Sequence, residues 1–174
     1  LEILDHTVTA MGSRQLRKWM ILPLKEKAAI DERLMIVDTF FKDLSLSERI
    51  LESLRQIGDL ERLISKVAVN RISPREMLQL KRSLSCISPI REVLLGHTNE
   101  QLRNMAAQLN PCLDLVERIE KELRDDAPHS STQGGLIKKG IDAELDELQQ
   151  IAFSGKDFLL QIQRREVERT GIGS

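Results

Sequence analysis

Tyrosine is absent from the 174 residues, tryptophan occurs once and phenylalanine four times, so the core has to be built from aliphatic side chains. Runs of β-branched and aromatic residues, the material of strands, are scarce, which points to an all-α fold. Charge of one sign is missing too: 26 Lys and Arg against 27 Asp and Glu leave a net charge of -1 and a pI near 6.4. That balance excludes a domain that wraps nucleic acid in a broad basic field, because phosphate binding needs concentrated cations. A local basic tip remains open. The two cysteines, Cys86 and Cys112, have no CxxC or histidine spacing and read as reduced, partly buried thiols of a cytosolic protein rather than as a disulfide. No apolar run approaches the roughly 20 residues of a spanning helix, and Leu1-Glu2-Ile3-Leu4-Asp5 lacks the basic-then-apolar pattern of a signal peptide. A start on Leu rather than Met makes a piece of a longer protein the expectation.

What is present is a succession of short amphipathic helices, as 41% hydrophobic and 30% charged residues allow. Leu16, Trp19, Met20 and Leu24 mark a first helix over 11–24 that Pro23 ends, with Arg14, Arg17 and Lys18 on its other face. A second carries Ile30, Leu34, Val37 and Phe41 as an apolar stripe, widened by Phe40 and expected to be core. Three capping boxes, Ser45 with Glu48, Ser73 with Glu76 and Thr98 with Gln101, announce later starts. At the middle one Pro74 takes the first helical position and Ile72 can staple onto Met77, ahead of a stripe of Leu80, Leu84 and Ile87. Residues 59–69 place Leu60, Leu63, Ile64 and Val67 on one side, and Asn110-Pro111 opens a helix that should bury Leu115, Ile119 and Leu123.

Residues 127–140 break the habit with Pro128, a Ser-Ser-Thr run and Gly134-Gly135, leaving one brief extended piece at Leu136 and Ile137. Asp142 then caps a helix expected to run to Thr170, about 40 Å at 1.5 Å per residue. Its seam, Ile141, Leu145, Leu148, Ala152, Gly155, Leu159 and Ile162, alternates steps of four and three and then turns charged at Glu166 and Arg169. Either the far end is simply solvated, or the helix is packed at one end and projects or meets a partner at the other. The expected organisation is therefore a helical core over 1–126, a loop over 127–140 and one long protruding C-terminal helix over 141–174.

Enzymatic chemistry finds no footing. Gly135 and Gly140 have phosphate-loop spacing but are followed by Ile141-Asp142 instead of Lys and a hydroxyl residue, and Ser154-Gly155-Lys156 fails at Asp157. His6, His97 and His129 are far apart with no second ligand at helical spacing. Asp142, Glu144, Asp146 and Glu147 suit a positive helix N-terminus better than a metal. No catalytic, metal or cofactor residue is assigned. Lys138 and Lys139, and Arg164, Arg165 and Arg169, are the basic clusters worth weighing for DNA, through phosphates only, since aromatics to stack on bases are missing nearby.

Four motifs then occur in order: Leu4-Asp5-His6-Thr7 with Thr9-Ala10-Met11-Gly12-Ser13-Arg14 and Leu16-Arg17-Lys18-Trp19; Ile57-Gly58-Asp59-Leu60-Glu61-Arg62 with Arg71-Ile72-Ser73-Pro74-Arg75; Gly134-Gly135-Leu136-Ile137-Lys138-Lys139-Gly140 with Glu144-Leu145-Asp146-Glu147-Leu148; and Glu166-Val167-Glu168-Arg169-Thr170-Gly171-Ile172. Together they resemble the core and lever region of the MutS family of DNA mismatch repair proteins. The resemblance implies a bacterial, cytoplasmic, nucleoid-associated parent that dimerises, binds ATP and Mg, and has mismatched double-stranded DNA and MutL as partners. It also implies that this stretch lacks the Phe-x-Glu mismatch wedge and the Walker motifs, and so holds no cofactor of its own. The long helix corresponds to a lever arm joining the ATPase state to a DNA clamp, with Gly155 either a hinge or a site of close helix packing. Part of the seam should be uncovered, so chains should pair through Leu148, Ala152, Leu159 and Ile162. The alternatives are a MutS homologue that does not act on mismatches and a free-standing helical adaptor.

Overall fold

Nine α-helices order the described residues of the computed structural model, which are 3–171, with every side chain among them but those of Gln133, Phe153 and Lys156. The expected helix tail over 172–174 and Ile172 of the fourth motif lie outside them. In chain order the helices are α1 (Ala10–Ile21), α2 (Lys27–Lys42), α3 (Leu44–Gln56), α4 (Leu60–Ala68), α5 (Pro74–Ser85), α6 (Ile87–Leu95), α7 (Glu100–Gln108), α8 (Leu113–Glu122) and α9 (Ala143–Thr170). The described residues hold no β-strand, and the fold is all-α. The chain divides into two compact units, Leu1–Leu136 and Ile137–Ser174.

Within the first unit the core is aliphatic and comes in three parts. Leu46 and Ile50 of α3 meet Ile90 and Leu94 of α6 and Leu102 and Ala106 of α7, with Ile36 and Phe40 of α2 laid against them. Leu63 of α4 packs on Leu80 and Leu84 of α5, and Leu78 of α5 packs on Ile119 of α8 and Ala127. The fifth helix thus serves two clusters, and its entry is the best-built in the molecule. Ser73 Oγ accepts from the Glu76 amide, the Glu76 carboxylate accepts from the Ser73 amide at 3.0 Å, and Pro74 stands just inside. Ile72 and Met77 both pack on the second cluster across this cap, as the staple requires.

Several expectations are corrected. The α2 stripe of Ile30, Leu34, Val37 and Phe41 is not core: Leu34 and Val37 are 57% exposed and Phe41 79%. Ile36 and Phe40, one residue and so about 100° around the helix, face the body instead. Ser45 does not cap α3. Asp43, the one residue between α2 and α3, does so by accepting from the Leu46 amide at 2.9 Å, where its negative charge also suits the helix dipole. Thr98 yields to Asn99, whose Oδ1 accepts from the Gln101 and Leu102 amides while its Nδ2 donates to Thr39 of α2, so that accepting and donating are done by two separate atoms. Asn110 caps nothing directly. Its side chain accepts from the Cys112 amide, and Cys112, with φ of 49° in the left-handed region, precedes α8. Leu115 is 42% exposed, and Val116 turns inward in its place. Ile87 opens α6 rather than closing α5, and in α4 Ile64 is 56% exposed beside the buried Leu63. Leu136 is extended enough for its carbonyl to accept from the Arg124 amide at 2.9 Å.

Candidate functional site

The second unit is dominated by α9, and both of its ends are chemically defined. At the start, Asp142 accepts from the Leu145 amide at 2.9 Å and Asp146 accepts from the Gly140 amide at 2.7 Å, so two of the four acidic residues are spent on orphan amides. Among the described residues no cluster of three or more His, Cys, Asp or Glu could hold a metal ion. At the far end Gly171 has φ of 69° and its amide donates to the Val167 carbonyl at 2.8 Å, the left-handed stop that favours glycine.

Between these ends the seam is bare within the unit. Ile141 and Leu145 are half-buried, whereas Leu148, Ala152, Gly155, Leu159 and Ile162 are all exposed, Leu159 by 66%. Ile151, Phe158 and Leu160 are exposed as well and widen the apolar surface beyond the two-position seam read from the spacing. A Cβ added at Gly155 would meet no atom within 4 Å, so the glycine admits no close helix packing within this unit. Arg164, Arg165 and Arg169 all lie exposed on the last turns. Arg169 is engaged, its Nε and Nη2 donating to Glu166 at 3.0 and 2.7 Å, which dilutes the cationic tip. Lys139 lines a shallow cavity of about 270 Å³ with Asp146, Gln149 and Gln150.

The first unit carries polar junctions that periodicity cannot reveal. Arg14 of α1 reaches the mouth of α4: Nη1 and Nη2 donate to the two carboxylate oxygens of Asp59 at 2.9 and 2.7 Å, and Nε donates to Glu61 at 2.7 Å. Asp59 is at once the N-cap of α4, and the guanidinium holds its carboxyl below the usual range. Gly58 beside it donates its amide to the fully buried Ser83 hydroxyl at 2.9 Å, and a Cβ there would stand 2.7 Å from the Gln79 side chain. Asp5 accepts from the Ser13 and Thr7 hydroxyls and the Thr7 amide, which together lower its pKa to about 2. Lys81, largely buried, donates to Glu120 at 2.6 Å and to Asp125 at 3.2 Å. Two of the histidines have structural partners: His97 accepts from the Asn99 amide two residues on, and His129 meets Arg75 of α5 from 54 residues away. Both cysteines are free thiols.

The four motifs quoted above therefore sit at junctions: the entry of α1, the corner before α4 with the cap of α5, the approach to α9, and its exit. Residues 1–169 match the family described as MutS domain III. The chain belongs to the MutS domain III family. It is 54% identical to a DNA mismatch repair protein MutS of Cytophaga hutchinsonii, 51% to that of Bacteroides fragilis and 42% to that of Flavobacterium psychrophilum. In each case the whole chain aligns with 20% of the relative, so it spans about a fifth of the length of the curated MutS proteins it matches. No described helix is long and apolar enough to cross a membrane.

Proposed function

We propose that this chain is the core and lever segment of a MutS mismatch repair protein and that α9 couples the nucleotide state of an ATPase elsewhere in the parent to a clamp on DNA. The observation that carries this reading is α9 itself: 28 unbroken helical residues with a defined cap at each end and an apolar seam left open from Leu148 to Ile162. A helix transmits displacement because its hydrogen bonds are internal and a packed seam has discrete registers, so a shift at one end arrives at the other. In this reading the core over 1–126 is the body, 127–140 the joint and 141–174 the arm. ATP with Mg, mismatched double-stranded DNA, MutL and the dimer interface are engaged by the longer protein, which is bacterial and cytoplasmic.

Gly155, an interior glycine in open surroundings, is the hinge of the arm. Arg164, Arg165 and Arg169 give weak, salt-sensitive contact with DNA phosphates and no preference for mismatches. Isolated chains pair through Leu148, Ala152, Leu159 and Ile162 until a covering helix is supplied, and sedimentation that finds only monomer at high concentration overturns that part.

The coupling is tested by placing this segment in a full-length MutS with Gly155→Pro, which removes a helical hydrogen bond and kinks the arm. ATP hydrolysis is expected to persist while ATP-triggered release of the clamp from mismatched DNA is lost. Undiminished release refutes the lever. Gly155→Ala separates the hinge from the lever: unchanged release kinetics leave the arm standing and discard the hinge.

A further inference from the structure

The first helix is attached differently from the others in its unit. Neither α1 nor α2 buries a side chain fully, but α2 lays Ile36 and Phe40 against the first cluster, whereas no residue of α1 belongs to any of the three clusters. Apart from Met11 and Leu16, which are half-buried, what holds α1 is polar. Near its start the Arg14 fork closes on Asp59 and Glu61 at the corner between α3 and α4; near its end the Trp19 ring lies under the Arg33 guanidinium of α2, 3.7 Å from the ring centroid. Beyond the helix, residues 22–26 are irregular and contain Pro23. Behind its end, Trp19 and Leu24 wall one side of an open apolar groove of about 390 Å³ whose other side is Ala29, Ile36 and Val37 of α2 and Met105 of α7.

We propose that α1 is a strap closed by an ionic clasp: the Arg14 fork over Asp59 and Glu61 keeps the helix seated, and its loss frees α1 on the hinge at 22–26 while the helices behind stay folded. The balance is set by what is missing. An exposed ion pair by itself contributes little and is screened by salt. Here, however, the apolar side of the helix is only half-buried, at Met11 and Leu16, and joins no core cluster, so a modest clasp decides whether it is seated. A fork that uses three guanidinium nitrogens on two carboxylates also fixes direction, which a single lysine contact would not. Opening widens the groove by removing the wall that carries Trp19. Competition for Arg14 by a polyanion, or screening by salt, is the physical trigger.

Hydrogen exchange on the full chain tests this with Arg14→Gln and, separately, Asp59→Asn, which retains an N-cap side chain for α4 while removing the charge. Amide exchange in α1 is expected to accelerate several-fold in both variants and in the unaltered chain at high salt, with α5 exchanging at its original rate. Unchanged exchange in α1, or loss of protection in α1 and α5 together, overturns the proposal.

Discussion

Helix α5 and helix α9 have the same kind of sequence, an apolar stripe at helical spacing behind a side-chain cap, and opposite fates. In 12 residues α5 buries six side chains, among them Leu78, Leu80 and Leu84, and touches two core clusters. In 28 residues α9 buries none of those described. Periodicity states which side of a helix is apolar; it does not state what covers that side. The second helix teaches the same within one unit, since Ile36 and Phe40 are covered while Val37 and Phe41, next to them, face solvent.

The sharpest way to break this comparison is to truncate one leucine on each side of it. Leu102→Ala, at a position with no exposure, is expected to cost about 2–5 kcal/mol in urea unfolding followed by circular dichroism. Leu159→Ala should stay within about 0.5 kcal/mol at dilutions where the chain is monomeric and cost more at concentrations where the seams pair; a small cost at every concentration would count against the pairing. Next in size is Ser83→Ala. The buried hydroxyl accepts from the Gly58 amide, and leaving that amide without an acceptor costs about 1–3 kcal/mol. The change should raise exchange at Gly58 specifically, and an unchanged denaturation midpoint would show that the corner tolerates an orphan donor. Gly155→Ala reverses the sign: with open space around the new Cβ, the helix should gain about 1 kcal/mol locally, read as slower exchange over 150–160.

The smallest effect is a slope. The Lys66 ammonium and the Ser73 amide hold the Glu76 carboxyl at about 2, below its ordinary 4.5. A carboxyl whose pKa is lower in the folded state favours folding when ionised, so its contribution is complete above 4.5 and fades as the pH falls toward 2. Glu76→Gln should flatten the acid limb of stability in that window. An unaltered limb would place the acid sensitivity elsewhere, with Asp5, also lowered to about 2, the first alternative.

Features written in adjacent residues were legible. Ser73, Pro74 and Glu76 make the cap their spacing announces, and α9 begins after Asp142 and stops at Gly171, because caps are local hydrogen-bond problems with local solutions. The misplaced caps failed for two reasons: Asp43 starts α3 two residues earlier by taking the Leu46 amide with a charged side chain, and Asn99 takes the Gln101 amide that Thr98 would have used while also reaching Thr39, 60 residues away. Contacts across the chain were not legible. Arg14 meets Asp59 and Glu61 from 45 and 47 residues away, and Gly58 meets Ser83 from 25. The motifs that carry the MutS likeness contain most of these residues, so they marked the right places before geometry gave the reason. The candidate arginines and Gly155 were placed on the right helix, but the apolar breadth added by Ile151, Phe158 and Leu160 was missed, because a seam template counts two positions per turn pair and ignores the shoulders.

Trp19 is the sole tryptophan in a chain without tyrosine, and it stands on α1 beneath a cation. Its emission therefore watches one edge of the molecule, while ellipticity at helical wavelengths averages over all of it. Thermal or urea curves recorded by the two optical signals should part company, with the indole changing first. A stability value fitted to fluorescence alone would describe the undocking of one helix rather than the melting of the fold.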